Sequence, residues 1–357
     1  MKKLLPLAIA ATLAAPLAAM ADATVYGKVR LSVDDVELNG FTDLFGVLTA
    51  DEQALLEDVY GIPASDKDMF QINSHASRLG VKGSEDLGDG LKAIYMLEFG
   101  VDIAGKQSDE FSPDNPISAR NAYVGLAGGF GTALIGRHDT PMKMSTGKLD
   151  YFQDTQADFN KVYMGGFEDR RADGTIAYVS PNLAGLTLAA AIIPGENNQA
   201  DGLADAYSLA AMYSNGGLFL SGAYEAADGN IDAIGVDGMD LSQWRLGAGY
   251  DSDVFRVSAV YEQETLDSVV VGEDDIELNK WALNGGFTIG MGEIKATYQT
   301  WKEDWSELEN TAWALGYDYN MSKRTQLYAL YLDSTIEATG IPDLETTIFS
   351  VGLNHAF

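Results

Sequence analysis

From residue 22 onward, apolar positions recur at every second residue. Val25, Gly27, Val29, Leu31 and Val33 face one way, and Lys28, Arg30, Ser32 and Asp34 the other. Trp244, Leu246, Ala248 and Tyr250 alternate with Arg245, Gly247 and Gly249, and Phe255, Val257, Ala259 and Tyr261 with Arg256, Ser258 and Val260. Ile294, Ala296 and Tyr298, and then Phe349, Val351, Leu353, His355 and Phe357, continue the pattern. Period two predicts β-strands with one apolar face and one polar or small face. Helical spacing fits none of these segments, and a short helix is expected only over 51–60, inside a loop.

Tight turns are expected at 83–90, 127–131, 180–185, 214–217, 251–254, 289–292 and 320–323. They alternate with eight longer polar segments near 34–69, 100–118, 138–172, 194–204, 225–241, 262–279, 301–310 and 333–346, so that fifteen connections join sixteen strands. An even strand count with both termini on the short-turn side lets the last strand pair with the first and removes every edge. Short turns at one rim and long loops at the other predict an all-β fold, a transmembrane 16-stranded antiparallel β-barrel. Aromatic residues expected near strand ends on the apolar face (Tyr26, Tyr95, Phe99, Tyr123, Trp244, Tyr250, Trp313 and Tyr319) fit girdles at the two membrane interfaces.

Residues 1–21 read as a secretory signal peptide. Lys2 and Lys3 precede an apolar run from Leu4 to Ala19, and Ala19-Met20-Ala21 is a small-x-small cleavage pattern. The barrel is then 22–357. No later stretch is apolar enough for a transmembrane helix, and a barrel needs none.

Composition narrows the function classes. The chain has 23 basic and 53 acidic side chains and a formal charge of −30; without the leader it has 21 against 53, or −32. With no Lys/Arg-rich run, nucleic acid is not an expected partner. The absence of cysteine excludes disulfides, thiol catalysis and Cys-ligated metal. His75, His138 and His355 lie far apart, and none sits in a GxSxG or HExxH context, so neither an enzyme nor a metal site is expected, and no cofactor. Segment 34–69 holds ten carboxylates and one lysine, and 262–279 seven carboxylates and no cation. Such loops are soluble, and they are also suited to bridging through divalent cations to anionic lipopolysaccharide. They lack the ligand order of a defined calcium loop.

Several segments resemble the general diffusion porins of Gram-negative bacteria. They are Ser77-Arg78-Leu79-Gly80-Val81-Lys82-Gly83-Ser84-Glu85-Asp86-Leu87-Gly88, then Arg120-Asn121-Ala122-Tyr123-Val124-Gly125-Leu126, then Ile135-Gly136-Arg137-His138-Asp139-Thr140-Pro141. Val25-Tyr26-Gly27-Lys28, Tyr178-Val179-Ser180-Pro181-Asn182-Leu183 and the terminal Phe357 extend the likeness over essentially all of 22–357. The resemblance implies long extracellular loops, short periplasmic turns, a third loop folded into the lumen, and a homotrimer in the outer membrane. It implies partners in outer-membrane lipid, lipopolysaccharide, the barrel-assembly machinery, which would read Phe357 as an assembly signal, and small hydrophilic solutes. It places a pore-wall basic cluster on Lys28, Arg78, Arg120 and Arg137, with Arg30 and Lys82 sharing their strand parity. Facing acids are expected on the third loop: Asp139, Asp150, Asp154, Asp158, Glu168 and Asp169. Some relatives carry a further wall arginine where this chain has Val179; Arg170 and Arg171 lie nearby at the end of the loop.

The charges also have a reading of their own. An Arg or Lys on the lipid face costs about 2–4 kcal/mol at the bilayer midplane, whereas a lumen holds water. Strand cations must therefore point inward if the barrel forms. Opposed basic and acidic rims set up a transverse field that favours polar solutes. The expected function is passive diffusion of small hydrophilic solutes; the alternative is a substrate-selective outer-membrane channel.

Overall fold

The computed structural model describes residues 23–49, 53, 63–105, 115–160, 169–195, 202–229, 240–267, 275–304 and 307–357. The expected leader at 1–21 lies outside the described residues, as does the helix expected over 51–60 apart from Gln53. The strands are β1 (Thr24–Asn39), β2 (Lys67–Ser74), β3 (Arg78–Gly88), β4 (Leu91–Val101), β5 (Ile117–Gly128), β6 (Gly131–Asp139), β7 (Arg171–Val179), β8 (Leu186–Ile193) and β9 (Ala206–Asn215). They continue as β10 (Leu218–Ala227), β11 (Leu241–Asp251), β12 (Phe255–Leu266), β13 (Ile276–Ile289), β14 (Gly292–Glu303), β15 (Glu309–Asn320), β16 (Thr325–Glu337) and β17 (Leu344–Ala356). Apart from β2 and β3, each pairs antiparallel with the next, and β17 returns to β1 from Lys28↔Ala356 to Asn39↔Glu345. β2 and β3 both pair with β1 and are two halves of one stave, so the seventeen strands form a closed barrel of sixteen.

The faces are inverted relative to a soluble protein. Outward side chains such as Val33, Leu246, Trp281 and Leu283 are all about half exposed, while inward Arg245, Glu262 and Lys280 are at most 1% exposed. A lipid-facing barrel requires this inversion, because apolar atoms need no water and charges need a polar interior. Tyr207, Tyr224, Trp244, Tyr261, Trp281, Tyr298, Trp313 and Tyr331 sit one to a strand on the outer face of β9–β16. Neighbouring rings approach to 4.9 Å (Trp244–Tyr261), 4.4 Å (Tyr261–Trp281) and 5.3 Å (Trp313–Tyr331). Phe99, Tyr250 and Tyr319 are also on the outer face. Two expected girdle residues turn inward instead. Tyr26 has the parity of Lys28 and bonds Glu98, and Tyr123 packs with Leu134, Ala177 and Ala191 inside the wall.

The turns follow their chemistry. Asp89 and Gly90, at φ 52° and 79°, close the β3–β4 hairpin as a two-residue turn of primed type. β1 runs further than the expected loop boundary at 34, because Asp34, Val36 and Leu38 continue the inward alternation. Val36 and Leu38 pack under α1 (Phe41–Val47), which buries Phe41, Leu44 and Phe45. At the chain end, Phe357 exchanges two backbone hydrogen bonds with Gly27, both 3.0 Å, and its ring covers Gly27, where a Cβ has no room.

Candidate functional site: a constriction between the third loop and the wall

The β6–β7 connection enters the lumen. Thr140 caps α2 (Pro141–Thr146), its hydroxyl accepting from Lys143 N at 3.4 Å, with Pro141 at the first helical position. The chain then crosses the interior. Met142 N donates to Ser208 on β9, Arg245 on β11 holds Asp169 at 2.6 Å, and Gln156 reaches Asp34 on β1 at 2.7 Å. The loop packs against the inner face of β9–β16, and a polar cavity of about 720 Å³ lies between it and β3–β6.

Arg78, Arg120, Arg137 and Arg171 line this cavity on the wall side, with Glu98 and Asn121 among them. Asp154, Asp158 and Asp169 line it on the loop side, with Lys143. Arg78, Arg120, Arg137, Lys143 and Arg171 each have a carboxylate oxygen within 3.6 Å: Asp154, Glu98, Asp173, Asp139 and Asp139 respectively. Lys28 Nζ lies 2.8 Å from Asp154. Burial by itself would raise the Asp154 carboxyl, but Lys28 and Arg78 outweigh it and hold it at about 2.

Three β-bulges shape the wall at this depth. His75, Ala76 and Ser77 stand opposite only Val29 and Arg30. Arg120 and Asn121 stand opposite Glu98 alone, which turns both toward the cavity. Asp173 and Gly174 stand opposite Arg137. A bulge re-aims side chains that strict alternation would send to opposite faces.

The structure thus brings Arg78, Arg120, Arg137, Asp154, Asp158 and Asp169 together. Three other expected residues are elsewhere. Arg30 is buried beneath the loop, donating to Gln153 O at 3.1 Å and stacking 4.5 Å from the Tyr328 ring centroid. Lys82 lies closer to the short-turn rim, 5.0 Å from the centroid of the Tyr26 ring. Asp150 is turned into the loop, where it accepts from Phe152 N (2.8 Å) and Phe159 N (3.1 Å); burial and neighbouring Asp158 push its carboxyl up. Glu168 lies outside the described residues. Of the two arginines at the loop's end, Arg171 enters the cavity and Arg170 approaches Glu225 at 3.8 Å.

Sequence reasoning missed Glu98, Arg245, Lys280 and Lys295. For three of them the signal was there: Glu98 alternates with Leu97 and Phe99, Arg245 with Trp244 and Leu246, and Lys295 with Ile294 and Ala296. Arg245 contacts Asp169 and Glu262, and Lys280 contacts Glu262 and Glu264. The buried trio Ser32, His75 and Asp34 is no relay. Both the Ser32 hydroxyl (2.7 Å) and the Asp34 carboxylate (3.9 Å) meet the same ring nitrogen, Nε2, whereas a catalytic triad uses opposite nitrogens.

A family model described as Gram-negative porin matches residues 7–337. The chain is similar to the major outer membrane protein P.IB of Neisseria lactamica, 30% identical over 252 residues covering 69% of this chain and 66% of that protein. The P.IB protein of Neisseria meningitidis serogroup A is 32% identical over 251 residues, with 69% and 66% covered. The chain therefore spans about two thirds of the length of the curated relatives it matches. Among solved structures, the anion-selective porin from Comamonas acidovorans superposes with a TM-score of 0.70 at 24% identity, covering 94% of this chain and 99% of that one. The trimer form of OmpT from Vibrio cholerae gives 0.66 at 16% identity, with 94% and 99% covered.

Proposed function

Because the chain belongs to the Gram-negative porin family, we propose that it is a passive channel of the outer membrane for small hydrophilic solutes and ions. The observation that carries this reading is the cavity left by the third loop. It is polar, Arg78, Arg120, Arg137 and Arg171 of the wall line it together with Asp154, Asp158 and Asp169 of the loop, and each guanidinium has a carboxylate within 3.4 Å, three of the four on the wall itself. Arg78, Arg120, Arg137 and Arg171 act as the basic wall, and Asp154, Asp158 and Asp169 as the facing acids. A solute crossing between them exchanges water for fixed dipoles and charges, which disfavours apolar molecules and limits passage by size. Among the described residues lining the cavity there is no aromatic side chain of the kind that would form the slide of a substrate-selective channel.

The remaining parts of the reading are a leader removed after residue 21, assembly as a homotrimer with long loops facing lipopolysaccharide, and recognition of Phe357 during insertion. The mature N-terminus is then Asp22, readable by terminal sequencing of the membrane-extracted protein. Stepwise conductance in planar bilayers, with liposome swelling that slows as sugars grow larger, is the expected result for the channel. Purified barrel that inserts but never conducts would overturn it.

A further inference from the structure

We propose that Lys295, on the wall away from the arginines, is a positioning residue that sets the width of the constriction by holding the third loop back. The inference rests on the channel reading above.

The wall of β12–β14 and β1 presents donors to backbone carbonyls of the loop. Ser258 Oγ (2.6 Å) and Asn284 Nδ2 (3.1 Å) donate to Leu149 O, Lys295 Nζ (2.8 Å) to Tyr151 O, and Arg30 (3.1 Å) to Gln153 O. Gln299 Nε2 donates to Ala157 O at 2.9 Å. Residues 149, 151 and 153 thus turn alternate carbonyls to the wall, and these contacts do not depend on the loop's side chains. The wall is also notched to receive the loop. Leu149 lies over Gly247 and Gly249 of β11, where a Cβ on Gly249 would stand 2.8 Å from Leu149 Cδ2. Phe152 lies over Gly316 of β15, 2.9 Å from where its Cβ would be.

Lys295 sits at the middle of this dock. Its ammonium is buried, bonds Tyr151 O and Asp318 (both 2.8 Å), and stands 4.6 Å from the Phe152 ring centroid. A charge-assisted hydrogen bond of this kind is about twice as strong as a neutral one. Lys295 does not line the cavity, so it acts on permeation only through the loop. At the edge of the arginine wall, Lys28 on β1 and Arg78 on β3 pair directly with Asp154 of the same loop, at 2.8 and 3.4 Å. The loop is held between these opposing contacts, and loss of the Lys295 side shifts it toward the arginines and narrows the passage.

The test is Lys295→Met combined with Asp318→Asn, which leaves no carboxylate buried without its partner. Single-channel conductance should fall about twofold, with frequent partial closures, as the narrowest section governs permeation. Ser258→Ala, a milder change that removes one donor to Leu149 O, should show the closures at lower frequency. The chain has no cysteine, so Leu149→Cys with Gly247→Cys adds a single bridge between the loop and β11, where Leu149 already packs on the place of a Gly247 Cβ. Oxidised, that bridge should restore wild-type conductance to the Lys295 variant, and reduction should bring the closures back. Wild-type conductance and solute cutoff in both Lys295→Met/Asp318→Asn and Ser258→Ala, with lowered heat resistance alone, would overturn the proposal. A wild-type barrel that does not conduct would instead overturn the channel reading.

Discussion

Glu98 receives Arg120 at 2.7 Å and the Tyr26 hydroxyl at 2.9 Å, and stands 3.9 Å from Arg78. It keeps two wall guanidinium groups from presenting uncompensated charge to the passage. Glu98→Gln is expected to shift the reversal potential across a KCl gradient toward anions, and an unchanged potential would mean that the wall arginines do not face the ion path. Asp154 gives a pH-dependent counterpart. Its folded carboxyl is held at about 2, below the ordinary carboxylate value, so its stabilisation is present above the unfolded pKa and is lost as pH falls through about 2. Comparison of wild type with Asp154→Asn by thermal unfolding in detergent should give a difference of about 1–2 kcal/mol that is constant from pH 5 to 8 and fades only toward pH 2.

At the scale of elements, the barrel ladder is interrupted where the site is built. Ala76 at φ 48° breaks one stave into β2 and β3, and the ladder there is completed by a side chain: Arg30 N donates to Ser77 Oγ at 3.0 Å, while His75 N donates to Arg30 O at 3.0 Å. Ser77 is buried, so no water replaces its hydroxyl. Ser77→Ala leaves the Arg30 amide unmatched and should cost about 1–3 kcal/mol in unfolding free energy. Protease sensitivity or early hydrogen exchange confined to 74–78 would localise the loss. The third loop shows the same economy. A Thr-Pro step starts its short helix, and Asp150 closes its interior turn on two backbone amides.

For the whole molecule, charge acts at two ranges. The chain carries a formal charge of −30, much of it in the long loops, whereas the constriction pairs each wall cation with a carboxylate. Loop charge attracts cations over distances that salt screens within about 10 Å at 0.1 M. The expected outcome is a cation preference at low ionic strength that fades as salt rises, measured as reversal potentials at several mean KCl concentrations. Anion preference at low salt would show that the wall arginines govern permeation despite their pairing.

Period-two alternation, seven tight turns and eight long loops were enough to determine a closed sixteen-stave barrel, because lipid permits no other backbone arrangement for strands that carry charge on one face. Lys28, Arg78 and Arg120 were legible as inward cations for the same reason. The alternation could not place Asn121 beside Arg120 on one face, nor set Arg137 against Asp173, because a bulge adds a residue to one strand and leaves no mark in its period. Nor could it separate Arg30, sealed under the loop, from Arg78, open to the cavity, since both share one parity. That distinction depends on where the third loop docks, and the dock is made by Ser258, Asn284, Lys295 and Gln299 from strands more than a hundred residues away along the chain. Local pattern fixes which face a side chain takes, and only the closed barrel fixes which faces meet across the lumen.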